Sequence, residues 1–345
     1  MSGVDLDLLA SRFRQFAEWE CRGSSQLYES LATAIAGDRN LLKLASRAQP
    51  HQPVPNLLFA AVHYLLLSGK DHELQGFYPN IVAEPKDHNQ AFPSFKDFCA
   101  SHHDEIVQLL QTRRVQTNEV RRCAYLYPAF CRIHQCLAKP LALVEIGTAA
   151  GLNLIWDQYS YSYSGGKVVG ADGSSVRITS TINGPNKPSL EEQPPPVIYR
   201  VGVDIRIVNL TDDDHLLWLR ALIWPEHKGR VELMTRAAEI LRAHPPRLVQ
   251  GDAIEMLQRF SEEAPKQAVL FVYHTHVANQ FSREKKETLF RIVDGIADRR
   301  AVCHLYNNMQ DGFLHLDILG VNSPSKETIA RTDGHARWFE WMPRR

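Results

Sequence analysis

Glu145, Gly147, Ala149 and Gly151 lie within LALVEIGTAAGLNLIWD, residues 141–157, and their spacing suits a turn that approaches a small ligand. Gly147 and Gly151 bracket Thr148, Ala149 and Ala150, so a backbone with almost no side chain can bend sharply and expose its peptide groups. Other chemistry-bearing residues end apolar runs further along: Asp204 closes VIYRVGVD, Asp252 closes RLVQGD, and His274 and His276 follow AVLFVY. A carboxylate at the end of a second strand accepts both hydroxyls of a ribose, and one at a third accepts from an exocyclic adenine amine. A neutral imidazole such as His274 removes a proton near neutral pH. Each residue also has a plainer reading: the acids as helix caps, His274 as a histidine bonded to a neighbouring strand, the turn as a tight connection without a ligand. His274-x-His276 without a third placed ligand is a weak metal pattern, and no metal is expected.

These residues need an open sheet to hold them. Leu141 to Ile146 is too short for a helix, lies between Pro140 and Gly147, and predicts a strand covered on both faces. Residues 151–156 return to helical spacing, so a ligand on the turn would meet unpaired N–H groups at a helix start. Strands are expected over 197–204, 247–252, 268–273 and 301–306, with closing strands at 313–321 and 335–341. Helices are expected over 215–223, opened by a Thr211-x-x-Asp214 box, and over 230–243, 253–260 and 282–298. In such sheets ligands bind outside the carboxyl ends of the strands, here Glu145/Gly147, Asp204, Asp252, His274 and Tyr306/Asn307. The Tyr/Ser alternation and Gly-Gly and Asp-Gly turns after residue 157 predict one or two hairpins, an insertion over about 158–196.

Residues 4–136 read as helical, with apolar residues at three- and four-residue spacing. The run at 56–67 is apolar nearly all round and belongs at the centre of that region. VQTNEVRR, residues 115–122, precedes the last of these helices. Asn118 can cap that helix and Glu119 suits its first turn. The segment leads straight into the central strand, so Asn118, Glu119, Arg121 and Arg122 either face the mouth of the sheet or form a solvated helix start.

The chain has 345 residues, with 39 Lys plus Arg balancing 39 Asp plus Glu. A general nucleic-acid or membrane-surface binder carries a basic excess, and none is present here. The six cysteines show no C-x-x-C pair and read as reduced thiols of a cytoplasmic protein. MSGVDLDLLASRF has no basic, apolar leader pattern, and the longest apolar run falls short of the roughly 20 residues of a membrane span.

The stretch Glu-x-Gly-x-Ala-x-Gly resembles the first motif of class I S-adenosylmethionine-dependent methyltransferases, with Ala149 where a middle glycine is usual. It departs from the G-x-G-x-x-G of dinucleotide folds, which disfavours a nicotinamide oxidoreductase, and from the P-loop. The resemblance covers residues 141–341 and implies a Rossmann-like α/β fold with a mostly parallel sheet and a closing antiparallel hairpin. It further implies methionine-portion contacts from Glu145, Gly147, Ala149 and Gly151, with Asp204 on the ribose and Asp252 with Ala253 on the adenine. The fourth strand end, where such enzymes place substrate, makes His274 the candidate base and His276 a candidate substrate contact. There is no Asn/Asp-Pro-Pro-Tyr/Phe motif and no G-x-S-x-G. The whole chain also resembles a family of bacterial proteins of unknown function, through QTNEVRRC at 116–123, VEIGTAAGLNLIWDQYSY at 144–161, VGVDIRIVNLTD at 201–212 and IWP at 223–225. The expectation is a helical N-terminal domain, residues 1–138, forming a lid or substrate wall, and a methyltransferase-like domain, 139–345, acting on a small molecule. The alternative is a non-catalytic binding or regulatory protein on the same fold. Oligomeric state is left open.

Overall fold

The computed structural model describes residues 5–342. In chain order the first helices are α1 (Leu6–Gln15), α2 (Gln26–Ile35), α3 (Arg39–Ala45), α4 (Val54–Leu67), α5 (Ala91–Ser101) and α6 (His103–Thr112). They are followed by α7 (Cys123–Leu137), α8 (Asp213–Ala221), α9 (Lys228–Ala243), α10 (Ala253–Glu263) and α11 (Arg283–Ala297). The strands are β1 (Leu141–Ile146), β2 (Ser160–Tyr163), β3 (Val168–Gly170), β4 (Arg177–Asn183), β5 (Val197–Asp204) and β6 (Arg247–Gln250). β7 (Val269–His274), β8 (Val302–Tyr306), β9 (Leu314–Leu319), β10 (Ser325–Thr332) and β11 (Trp338–Trp341) complete the set. No described helix is long and apolar enough to cross a membrane.

Packing divides the chain into two units: the residues up to 117 together with 211–232, and the residues from 118 to 210 together with those from 233 onward. The seams therefore fall at 117/118, ahead of α7, at 210/211, ahead of α8, and inside α9, whereas the sequence suggested one boundary at 138/139. The helical unit is built around α4, whose Phe59 stacks on Tyr28 at 4.3 Å and on Phe16 at 5.8 Å, with Phe95 also at 5.8 Å. Ser25 caps α2 through the Tyr28 N–H, and Asp38 caps α3. His63, fully buried on α4, bonds Ala221 O at 3.0 Å and Asn80 at 2.9 Å, so desolvation pushes it down to about 4 and it stays neutral.

The second unit carries one mixed, mostly parallel sheet of 11 strands in the order β3-β2-β4-β11-β10-β9-β8-β7-β1-β5-β6. β6, β5, β1, β7 and β8 are parallel neighbours. The even-numbered residues of β1, Ala142, Val144 and Ile146, share one core with Leu257 and Phe260 of α10 and Leu289 and Val293 of α11. On the other face Phe130 of α7 stacks on Trp156 at 4.2 Å and packs on Phe271 at 4.6 Å. Burial on both faces explains why β1 is apolar at every position but Glu145.

Four elements differ from their sequence reading. No α-helix follows Gly151; residues 151–155 form turns, leading into a single 3-10 turn at Trp156–Gln158. Leu152, Asn153, Leu154, Ile155 and Trp156 are all buried, so the segment has no solvent side on which an amphipathic helix could show polar residues. Side chains replace the helical ladder: Tyr159 Oη donates to Leu152 O at 2.8 Å, Tyr273 Oη to Asn153 O at 3.2 Å, Arg200 to Leu154 O at 3.2 Å and Tyr161 Oη to Trp156 O at 2.5 Å. The insertion is not a set of isolated hairpins. β2 and β3 pair antiparallel, but β4 joins β2 and β11 in parallel and extends the main sheet. The chain closes with three strands, since β10 (SKETIART) pairs antiparallel with both β9 and β11. Its alternating charged face carries no apolar run to announce it. Finally, α8 is capped by Asp212, not Thr211, through the Asp214 N–H at 2.9 Å. Pro128 inside α7 leaves Ala124 O without its helical donor, and Tyr163 Oη of the insertion supplies one at 2.9 Å.

Candidate functional site

The order of the five parallel strands reverses between β1 and β7, and sheets of this kind bind ligands outside the carboxyl ends of the strands at such a point. The turn after β1 is held from two sides. Gly147 and Thr148 donate their N–H groups to Val203 O at 2.8 and 3.2 Å, and Gly151 donates to Thr148 O at 2.8 Å. The Ala149 N–H donates to Asp204 Oδ2 at 2.9 Å, and the Leu152 N–H to Asn118 Oδ1 at 3.0 Å. These N–H groups are engaged within the protein, which corrects the expectation of unpaired donors awaiting a ligand. Ala149 adopts φ +52°, a left-handed conformation unusual for a residue with a side chain, and Asp204 fixes it there. At Gly147, φ +73°, an added Cβ would stand 2.6 Å from Val277, so only glycine fits.

Glu145 is 3% exposed and lies level with Gly202 of β5 and Tyr273 of β7. Thr148 Oγ1 donates to its carboxylate at 2.5 Å. Burial pushes Glu145 up to about 8; Asp204 adds to the rise, while the Thr148 bond and the Arg122 guanidinium oppose it. The group is therefore a neutral acid at pH 7. Asp204 also accepts the Arg206 N–H at 3.1 Å, and its carbonyl accepts the Gly251 N–H at 2.9 Å, tying the ends of β5 and β6 together. Asp252 lies past the end of β6 as the cap of α10, accepting the Ile254 N–H at 2.9 Å and pairing with Lys285 at 2.9 Å. These contacts hold its carboxyl below the ordinary range despite partial burial. Ala253, the first residue of α10, is 8% exposed.

Of residues 118–122, Asn118 contacts the turn. Asn118 accepts from Leu152 instead of capping α7, and Glu119 accepts the Arg121 N–H at 3.1 Å to start the 3-10 turn that leads into α7. Arg122 donates to Gly334 O at 3.2 Å and sends its charge toward Glu145, Tyr125 and His276. His276 sits beyond β7 at φ +62°, its N–H donating to Asn307 Oδ1 at 2.8 Å; Asn308 adopts φ +60° beside it. Burial and then the Arg122 charge push His276 down to about 3. Left-handed Ala149, His276 and Asn308 thus mark the ends of three adjoining strands. Three buried side-chain atoms nearby have no hydrogen-bond partner among the described residues: Arg121 Nε, His276 Nε2 and Asn307 Nδ2. The arginine and asparagine atoms are donors, and buried donors left unpaired are costly. Sequence reasoning placed Thr148 in the turn and Asn307 at the rim without giving either a role, and passed over Tyr125 and Asn308. The asparagines directly after β8 were the available signal.

His274 stands apart from this group. It is fully buried, its Nε2 lies 3.2 Å from Nε2 of His304, and burial pushes it down to about 3. A base must touch the proton it removes, and this enclosed imidazole offers no open face to a substrate at the rim. The plainer reading, a histidine bonded to the neighbouring strand, describes its placement. Among the described residues no three His, Cys, Asp or Glu side chains gather as a metal site.

Residues 10–341 match a bacterial family described as "Uncharacterized protein conserved in bacteria (DUF2332)". No curated protein and no solved structure matches the chain.

Proposed function

The chain belongs to that bacterial family, and we propose that it is an S-adenosylmethionine-dependent methyltransferase acting on a small molecule held at the β1–β7 rim. The observation that carries this reading is the convergence of carboxylates from separate strands on one small-residue turn. Asp204 of β5 binds the Ala149 N–H, and Glu145 of β1 binds Thr148. The strand order β6-β5-β1-β7-β8 supports it, because 3-2-1-4-5 is the doubly wound nucleotide-binding order.

The donor set fits the cofactor's chemistry. Glu145 would receive its amino group, Asp204 the ribose hydroxyls, and Asp252 with Ala253 the adenine, while Gly147, Ala149 and Gly151 keep the turn bare. A carboxylate has about four acceptor sites, so Asp204 retains capacity beyond its two backbone donors. When bound, the cofactor supplies an electrophilic methyl group. Arg121 Nε and Asn307 Nδ2 are buried donors without partners among the described residues, which suits an acceptor molecule bearing a carbonyl or an oxyanion. Asn118 and Glu119 shape the segment that carries the arginines, and His276, neutral near pH 7, can hydrogen-bond that molecule without adding charge. These residues bind and orient, which is most of what methyl transfer requires of a protein.

A second reading, a binding or regulatory protein on this fold, is favoured by Val277, whose side chain closes over Gly147. Calorimetric titration with S-adenosylmethionine, S-adenosylhomocysteine and NAD distinguishes the readings. The methyl donor and its product should bind, and Asp204→Ala should weaken both about tenfold, the loss of a charge-assisted hydrogen bond. Binding of NAD alone, or an Asp204→Ala variant of unchanged affinity, overturns the proposal. Binding without turnover on any acceptor favours the second reading.

A further inference from the structure

Beside α11, strands β8, β9 and β10 border a cavity of about 290 Å³, lined at its β8 end by Tyr306, the last residue of that strand. Its walls include Phe290 of α11, Tyr306, His315, Asp317, Lys326 and Thr328. The cross-strand register places them together: Tyr306 opposite His315, Lys326 opposite Asp317, and Thr328 opposite His315. Asp317 is 2% exposed. For a carboxylate that deep, its contacts are poor. Tyr306 Oη stands 3.4 Å away and Lys326 Nζ 4.0 Å, and no described backbone N–H reaches it. The Lys326 side chain is more than half exposed and also lies 3.7 Å from Asp294. His315 has both ring nitrogens occupied, by Asp311 at 2.7 Å and Thr328 at 3.4 Å, so it cannot serve Asp317. Burial pushes the Asp317 carboxyl up to about 6, with Lys326 and His315 opposing.

A buried carboxylate ordinarily has two or more donors, and leaving one under-paired costs free energy. What Asp317 lacks is a close donor, preferably a charged one. Gln310, Glu327 and Thr328 also line the cavity, beside aromatic rings: Tyr306 stacks on His315 at 5.2 Å and meets the edge of Phe290 at 5.4 Å. Aromatic faces beside an anion favour an organic cation. We propose that this cavity is a second ligand site, taking a small primary amine with an apolar or aromatic body, its ammonium on Asp317 and its body against Tyr306 and Phe290. The volume admits a molecule of about ten non-hydrogen atoms. The site is independent of methyl transfer at the rim.

Titration of the full chain at pH 7.5 with benzylamine and with benzyl alcohol, its neutral counterpart, tests this. Benzylamine should bind at least about tenfold more tightly than the alcohol, and Asp317→Asn should remove that preference. Lys326→Met, which removes the neighbouring ammonium, should strengthen benzylamine binding severalfold, and Asp204→Ala at the rim should leave it unchanged. Equal binding of amine and alcohol, a preference that survives Asp317→Asn, or a Lys326→Met variant that binds no amine overturns the proposal. Because Lys326 is exposed, its variant reads out the site even if Asp317→Asn fails to fold.

Discussion

Replacing Glu145 with glutamine removes one proton-binding group from the centre of the site and keeps its shape. Glu145 is raised from the ordinary 4.5 to about 8 by burial. Between those values the folded chain holds a proton that the unfolded chain has released. The unfolded state therefore binds fewer protons, and stability must fall as pH rises, by about 1.4 kcal/mol per pH unit from this residue. By pH 7 the accumulated loss is roughly 3 kcal/mol. Glutamine has no such proton and can still accept from Thr148. Urea denaturation of both proteins from pH 5 to 8 should show Glu145→Gln little changed at pH 5 and more stable than the parent by roughly 3 kcal/mol at pH 7. All other groups titrate alike in the two proteins, so the difference between the curves isolates Glu145. A difference that stays flat with pH, or a variant less stable at pH 8, would mean that Arg122 keeps the carboxylate charged and that the burial argument is wrong. The proton also reports on function. A bound ammonium would favour the charged carboxylate, so S-adenosylmethionine binding at pH 7 should release close to one proton from the parent and none from the variant, read as buffer-dependent heat.

Two further perturbations test the scaffold of the turn. Arg200 grips Asp157 with two bonds of 2.7 and 2.8 Å and also donates to Leu154 O, so Arg200→Ala should cost about 3 kcal/mol in chemical denaturation. Arg200→Lys should recover little of that, because an ammonium cannot reproduce the fork; full recovery would reduce the pair to a point charge. A Cβ added at Gly202 would stand 2.5 Å from Thr148 Oγ1, so Gly202→Ala should destabilise by roughly 1–3 kcal/mol. That cost should shrink on a Thr148→Ala background, and additivity of the two changes would show that they do not touch.

The five parallel strands and their order of appearance were legible because each carries a local signal: a short, largely apolar run ended by Gly, Asp, His or Asn. The same signal located the rim, since residues at strand ends share one edge of a parallel sheet whatever lies between them. Asp204 could be paired with the turn at residue 149 across the whole insertion for that reason. Local pattern failed where the partner was distant. Residues 151–156 have helical spacing, yet Tyr159, Tyr161, Tyr273 and Arg200 satisfy their carbonyls and draw the segment into the core. β10 looks like a solvated stretch until β9 and β11 supply its hydrogen bonds.

The chain's own order thus determined which residue types stand at the ends of which strands, because periodicity and turn chemistry are short-range properties. Tertiary structure alone decided their state. It occupied N–H groups of the turn, enclosed His274 against His304, left Asn307 Nδ2 without a partner among the described residues, and set Asp317 beside a cavity. Burial and pairing depend on what the rest of the chain brings alongside, and the desolvation that shifts a carboxylate or an imidazole is a property of the assembled surroundings and not of the residue.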